Sequence, residues 1–296
     1  MKFLRARSWR TTVSPLTLYR RAAAASAAPI IGHYSTSFSL AAKALAPRMR
    51  QDIHNLYAVV RIADEIVDGV ATEAGLAPAD AERALNAFHA EVTAALNTGF
   101  STNPIVQAFS DTARRCDFSI AEIDAFFDSM RCDLTTTRHD SQSLDRYIYG
   151  SAEVIGLMCL KIFVAEQALS PRAQANCALG AKALGRAFQK INFLRDYRVD
   201  STQLGRAYLE LSPDTKAAFI AGIRQDLARA YRSIAMLPLT ARAGVLSAYL
   251  LFSELTDLLD AATIEDIKRT RVNVPNSRKL LLAGRAVALA PRMKEN

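Results

Sequence analysis

From Ile30 onward, apolar residues recur at three- and four-residue intervals and are interrupted by short polar breaks. That spacing belongs to helices that bury one face. RMRQDIHNLYAVVRIADEIVD predicts a helix with Pro47 in its first turn and Gly69 at its end. AGLAPADAERALNAFHAEVTAAL follows with Asp80 as its expected N-cap, and NTGFSTNP reads as a loop. Helical patterns resume at IVQAFSDTARRC and SIAEIDAFFDSMRCDL, where Ser119 and Glu122 make a capping-box pattern. TTTRHDSQS breaks the series before LDRYIYGSAEVIGLMCLKIFVAEQAL. After Ser170 and Pro171 comes the longest helical stretch, RAQANCALGAKALGRAFQKINFLRDYRVD. STQLGRAYLELSPDT is expected to be a loop, and two or three more helices complete the chain. Residues 1–29, basic and containing RRAAAASAAP, are expected to form an irregular lead-in. No linker divides residues 30–296, which read as one all-α domain.

Composition supports that reading, since 12 glycines and 10 prolines in 296 residues leave few turn-rich segments. Cys116, Cys132, Cys159 and Cys177 are scattered, form no CxxC and lack histidines at zinc-ligand spacing. Core thiols in a reducing compartment are expected. No apolar run approaches the ~18–20 residues of a bilayer span; VIGLMCL is cut off by Lys161, and AGVLSAYLLF is also short. No continuous apolar stretch follows the basic start, so a cytoplasmic location is expected.

The net charge of +8 is concentrated at the ends. Lys2, Arg5, Arg7, Arg10, Arg20 and Arg21 precede the first acid, Asp52, and Lys268, Arg269, Arg271, Arg278, Lys279, Arg285 and Arg292 crowd the other end. Paired RNP aromatics and zinc fingers are missing, so nucleic acid is not an expected partner. Peripheral contact with the inner, anionic face of a membrane is.

Two segments carry chemistry. In QKINFLRDYRVD, Gln189, Asn192, Asp196 and Asp200 are spaced three, four and four; in YAVVRIADEIVDG, Tyr57, Arg61, Asp64 and Asp68 are spaced four, three and four. Each set shares one helix face. Either stripe alone reads as a solvated face. Opposed to each other, they would offer hard oxygen ligands to Mg²⁺ around a diphosphate, with Arg61 and Arg195 adding contacts to its oxygens.

The chain resembles the squalene/phytoene synthase family, the head-to-head prenyl transferases, from about Tyr34 to Arg278. YSTSFSLAAKALAP resembles its early Ser-Phe segment, RIADEIVDG its first aspartate motif, and SMRCDL its Gly-Met-x-x-Asp-Leu segment. YIYGSAEVIGLM is similar to its Tyr-x-Tyr-Gly helix, and NFLRDYRVD with GRAYL to its second aspartate motif. Glu65, Ser129, Glu153 and the missing proline in YLEL depart from the pattern, and Ser129 and Glu153 bear on pocket shape.

The resemblance implies a class I isoprenoid synthase helical fold with a central substrate cavity. It implies Mg²⁺, with Mn²⁺ as a substitute, held by Asp64, Asp68, Asn192, Asp196 and Asp200, and no NADPH. Two identical allylic diphosphates would condense through a cyclopropylcarbinyl diphosphate to a linear hydrocarbon. Phe38, Tyr57, Tyr147 and Tyr149 would wall the cavity, with Tyr149 close to the chemistry, and Gln189 would support the metal stripe. Arg206, Tyr208 and Arg271 would lie near the diphosphates, while Arg131 and Asp133 either join the site or pair with each other. SMRCDLTTTRHDS and GSAEVIGLM point to geranylgeranyl diphosphate as substrate and phytoene as product. Farnesyl diphosphate giving squalene or dehydrosqualene is the alternative. A non-catalytic, prenyl-diphosphate-binding or membrane-docking subunit is the second.

Overall fold

The computed structural model describes residues 13–294. Fifteen α-helices run through them, and among the described residues the only strand-like pairing is one bridge between Arg138 and Ala207. Six helices begin with proline in the first turn: α1 (Pro15–Tyr34), α3 (Pro47–Val67), α5 (Pro78–Thr98), α6 (Pro104–Arg115), α10 (Pro171–Arg195) and α12 (Pro213–Ile234). Proline supplies a pre-set φ where no N–H is needed, so the starts are encoded locally. Between them lie α2 (Thr36–Lys43), α4 (Val70–Glu73), α7 (Ile120–Thr135), α8 (Ser141–Ile148), α9 (Val154–Val164) and α11 (Tyr197–Thr202). The chain closes with α13 (Leu239–Ala261), α14 (Ile264–Arg269), α15 (Asn276–Leu289) and a 3₁₀ turn at Ala290–Arg292.

Several local expectations change. Residues 15–29 are not irregular: they are most of α1, which crosses the boundary placed at residue 30. Ser14 caps the helix by accepting from the Thr17 N–H, and Ala23, Ala27 and Ile31 form its buried seam against α3 and α6. Alanine costs no side-chain entropy in a helix and lets backbones approach. Lys2, Arg5, Arg7 and Arg10 lie outside the described residues. Asp80 is not an N-cap; α5 starts at Pro78, with Ala77 in the capping position and no side-chain cap bond. The Ser119/Glu122 capping box is present. Four helices, rather than two or three, follow the loop ending near Ser212.

The stretch Ser141–Val164 is long and apolar enough to cross a membrane, although no single apolar run in the sequence is that long. Half of its most apolar window is buried inside the protein, and a π-helical turn at Tyr149–Glu153 interrupts it. It packs backbone to backbone on α10. A Cβ at Gly156 would come 2.4 Å from the Ala181 carbonyl oxygen, and one at Gly185 would come 2.4 Å from that of Ala152. Glycine is the residue that permits such an approach.

The two largest apolar clusters form most of the interior. One joins α3, α5, α6, α7 and α9; the other joins α8, α10, α12 and α13. Phe38 packs against both. The cavity that matters for function opens between them.

Candidate active site

A cavity of about 510 Å³ carries the two stripes on facing walls. From α3 it takes Tyr57, Arg61, Asp64 and Asp68; from α10 and α11 it takes Gln189, Asn192, Arg195, Asp196 and Asp200. Asp68 and Asp196 sit at the C-terminal ends of α3 and α10, and Asp200 lies one turn further on, in the first turn of α11. Asp68 closes α3 just before Gly69, whose φ of +109° turns the chain away. Asp196 closes α10 at φ −99°, ψ 7°, where the expected single helix breaks. The Asp196 N–H still donates to Asn192 O at 2.8 Å and the Asp200 N–H to Asp196 O at 3.0 Å, so the face continues through the break. Helix C-termini are partially negative, so the ends of α3 and α10 add to the carboxylates of Asp68 and Asp196 in favouring a cation.

Arg206 ties the two sides together. It is only 7% exposed. Its Nη1 donates to Asp68 Oδ1 at 2.7 Å, its Nη2 to Val67 O at 2.7 Å, and its Nε to Asp133 O at 3.1 Å. Its backbone N–H donates to Asp200 O at 2.8 Å, and the next N–H, of Ala207, to Thr137 O at 2.8 Å. The loop after α11 is thereby folded across the mouth of both motifs.

Asp133 is buried under this loop. Tyr208 Oη donates to its Oδ1 at 2.7 Å and Tyr147 Oη to its Oδ2 at 3.0 Å. The two tyrosine rings lie 5.2 Å apart, and His139 stacks on Tyr208 at 5.6 Å. Burial pushes the Asp133 carboxyl up to about 6, against the opposing pull of Arg206.

The remaining carboxylates divide by partner. Arg195 and Arg271 both reach Asp196, Arg271 through Nε at 2.6 Å, and together they outweigh burial and hold its carboxyl below the usual range. Among the described residues Asp200 makes no ion pair; burial and the facing charges of Asp196 and Asp68 push it up to about 7, with Arg206 opposing. Asp64 is raised well above the usual range by burial and by Asp68, with Arg61 opposing. Arg61 is turned toward Glu65, its Nε donating at 2.6 Å, and its guanidinium lies 4.3 Å from the Tyr34 ring centroid.

These residues fit a hard cation. Carboxylates are crowded against one another, and Asn192 Oδ1 is buried without a hydrogen-bond partner among the described residues. No three acidic, histidine or cysteine side chains among the described residues converge into an all-protein cage. Mg²⁺ does not ask for one, because it is bound through one or two carboxylates while keeping waters and substrate phosphates.

Phe38, Tyr147, Tyr208, Arg206 and Arg271 also line the cavity. Two expected residues do not. Tyr149 is 40% exposed, with the Lys182 ammonium 5.4 Å from its ring centroid. Arg131 donates to Asp128, Asn86 and His89, so it neither joins the site nor pairs with Asp133. Two tyrosines separated by one residue cannot face the same way on a helix, and packing of α8 chooses Tyr147. Ser129 and Glu153 lie outside the cavity lining as well; Glu153 accepts from Arg186 at 2.7 Å. Phe188 and Phe252 were missed by sequence reasoning. They stack at 3.8 Å, with Phe38 at 5.8 and 5.3 Å from them. Phe188 stands four residues before Asn192 and could have been found by extending the stripe, whereas nothing near Phe252 signals the cavity.

A family model described as squalene/phytoene synthase matches residues 31–212. The chain is 30% identical over 281 residues to a 15-cis-phytoene synthase of Synechococcus elongatus, covering 85% of this chain and 88% of that protein. It is 33% identical over 182 residues to a 15-cis-phytoene synthase of Paracoccus sp., covering 59% of this chain and 56% of that protein. The match thus spans little more than half the length of the Paracoccus relative. The fold resembles the crystal structure of a dehydrosqualene synthase in complex with ligand, with a TM-score of 0.76, 21% identity, and coverage of 95% of this chain and 100% of that one.

Proposed function

The chain belongs to the squalene/phytoene synthase family, and from that premise we propose that it joins two geranylgeranyl diphosphates head to head to give phytoene. One observation carries the reading: opposed carboxylate stripes close one end of a long apolar cavity. Along α10 the lining residues Asn192, Phe188, Leu184, Ala181 and Cys177 share a face. At 1.5 Å per residue, Asn192 to Cys177 spans about 22 Å. That length suits an extended chain of four isoprene units and exceeds what three require.

Asp64 and Asp68 on one wall, with Asn192, Asp196 and Asp200 on the other, would hold Mg²⁺. Bound there, Mg²⁺ would supply Lewis-acid neutralisation of diphosphate charge, which makes diphosphate a leaving group. Arg195 and Arg271 add positive charge at the same end. Phe38, Phe188 and Phe252 pack together in the cavity wall, where aromatic rings would stabilise positive charge on the prenyl chain and exclude water. Asp133 fixes the Tyr147 and Tyr208 hydroxyls, and Arg206 fixes Asp68, so this wall is set before substrate enters.

Product analysis tests the reading. Purified protein is incubated with Mg²⁺ and either geranylgeranyl or farnesyl diphosphate, with and without NADPH, and the hydrocarbon is identified. Phytoene from geranylgeranyl diphosphate without NADPH is expected. Product only from farnesyl diphosphate would move the chain to the squalene side of the family. Folded protein that turns over neither would favour a non-catalytic prenyl-diphosphate-binding subunit.

A further inference from the structure

Helix α15 is apolar on both of its faces. Leu282, Ala283 and Ala286 are buried inward, against α13 and α2. Outward stand Leu280, Leu281 and Val287, which are 63%, 56% and 54% exposed, with exposed Gly284 and Ala288 among them. Spacings of three and four residues place them on one stripe. One apolar face seats a helix on its protein, and a second one left exposed is a surface that a partner would cover.

A basic column runs beside that stripe. Arg278 and Arg285 stand two turns apart on α15, Arg292 follows seven residues later in the 3₁₀ turn, and all three are exposed. Arg278 is paired with Glu254 at 2.8 Å, whereas Arg285 makes no ion pair among the described residues. From Ile267 to Lys294 the chain has eight basic residues and no acid.

We infer that this outer face of α15 docks on an anionic lipid surface. An apolar strip flanked by arginines is how an interfacial helix seats its leucines at the acyl boundary and its cations among headgroups. An antiparallel pairing of two such faces would bring two arginine columns together, whereas anionic headgroups would neutralise the column. The position of the helix also suits lipid exchange. Lys279 Nζ donates to Thr36 Oγ1 at 2.7 Å, at the start of α2, and the neighbouring Ser35, Ser37 and Phe38 line the cavity. The surface is read from α15 and does not rest on the reaction proposed above.

Co-sedimentation of the full chain with vesicles tests it, comparing phosphatidylcholine alone with phosphatidylcholine containing phosphatidylserine. Binding to the anionic vesicles only, weakened by added salt, is expected. The Arg285→Ala/Arg292→Ala double variant should lose about twenty-five-fold in partitioning, about fivefold per arginine. Leu280→Ser/Leu281→Ser should lose about tenfold or more with an unchanged melting temperature, since both side chains are exposed. Undiminished binding by both variants would overturn the proposal by placing the lipid contact elsewhere. Equal binding to neutral vesicles, no vesicle binding, or a dimer in solution that the leucine variant dissociates would overturn it too.

Discussion

Asp200 gives the sharpest test of the electrostatics, because its carboxyl is pushed up to about 7 by burial, Asp196 and Asp68. A carboxyl whose folded value is raised binds more protons folded than unfolded, so stability falls as pH rises between the two values. Below about pH 4 Asp200 is protonated in both states and costs nothing. Above about pH 7 it is ionised in both and the full penalty is present. Raising the group from 3.8 to about 7 corresponds to about 4 kcal/mol, and partial exposure to solvent brings this to about 2 kcal/mol. Asp200→Asn imitates the protonated form. In urea unfolding with EDTA, the variant should be more stable than the wild type by about 2 kcal/mol at pH 8, with the gap shrinking toward pH 5. Mg²⁺ with inorganic diphosphate should stabilise the wild type and reverse the order, while prenyl transfer by the variant falls by about a hundredfold or more. A variant less stable than the wild type at pH 8 in EDTA, or a gap that does not change with pH, would refute the reasoning.

Arg206→Gln should lower stability by about 3 kcal/mol, because a buried cation bridging Asp68, Val67 O and Asp133 O is lost; an unchanged thermal midpoint would argue against that role. Tyr149→Phe should leave turnover within about twofold of wild type, since its ring lies outside the cavity, whereas a large loss in kcat would return it to the site. Ala181→Phe fills the cavity about 16 Å from Asn192 along α10. It should shift product formation from geranylgeranyl toward farnesyl diphosphate, and an unaltered preference measured by competition would show that the chains do not reach that depth.

Much of this protein is written locally. Proline in a first turn, a serine three residues before a glutamate, and apolar spacing of three and four each act within one or two turns of backbone, so they place helices without knowledge of the rest. The same holds for the two acidic stripes, the second of which keeps its register through the break at Asp196 because two backbone hydrogen bonds carry it. Charge misled where packing was decisive: α1 looked like a basic lead-in, yet its alanines form a seam only once α3 and α6 are beside them. Tertiary structure alone decided that Asp64 and Asp68 face Asn192, Asp196 and Asp200, that Tyr147 rather than Tyr149 turns inward, and that Phe252 joins Phe38 and Phe188. Arg206 is the plainest case, since it meets Asp68 across 138 positions of chain. Backbone propensity reaches a few residues, whereas opposition across a cavity is set by which buried faces fit one another.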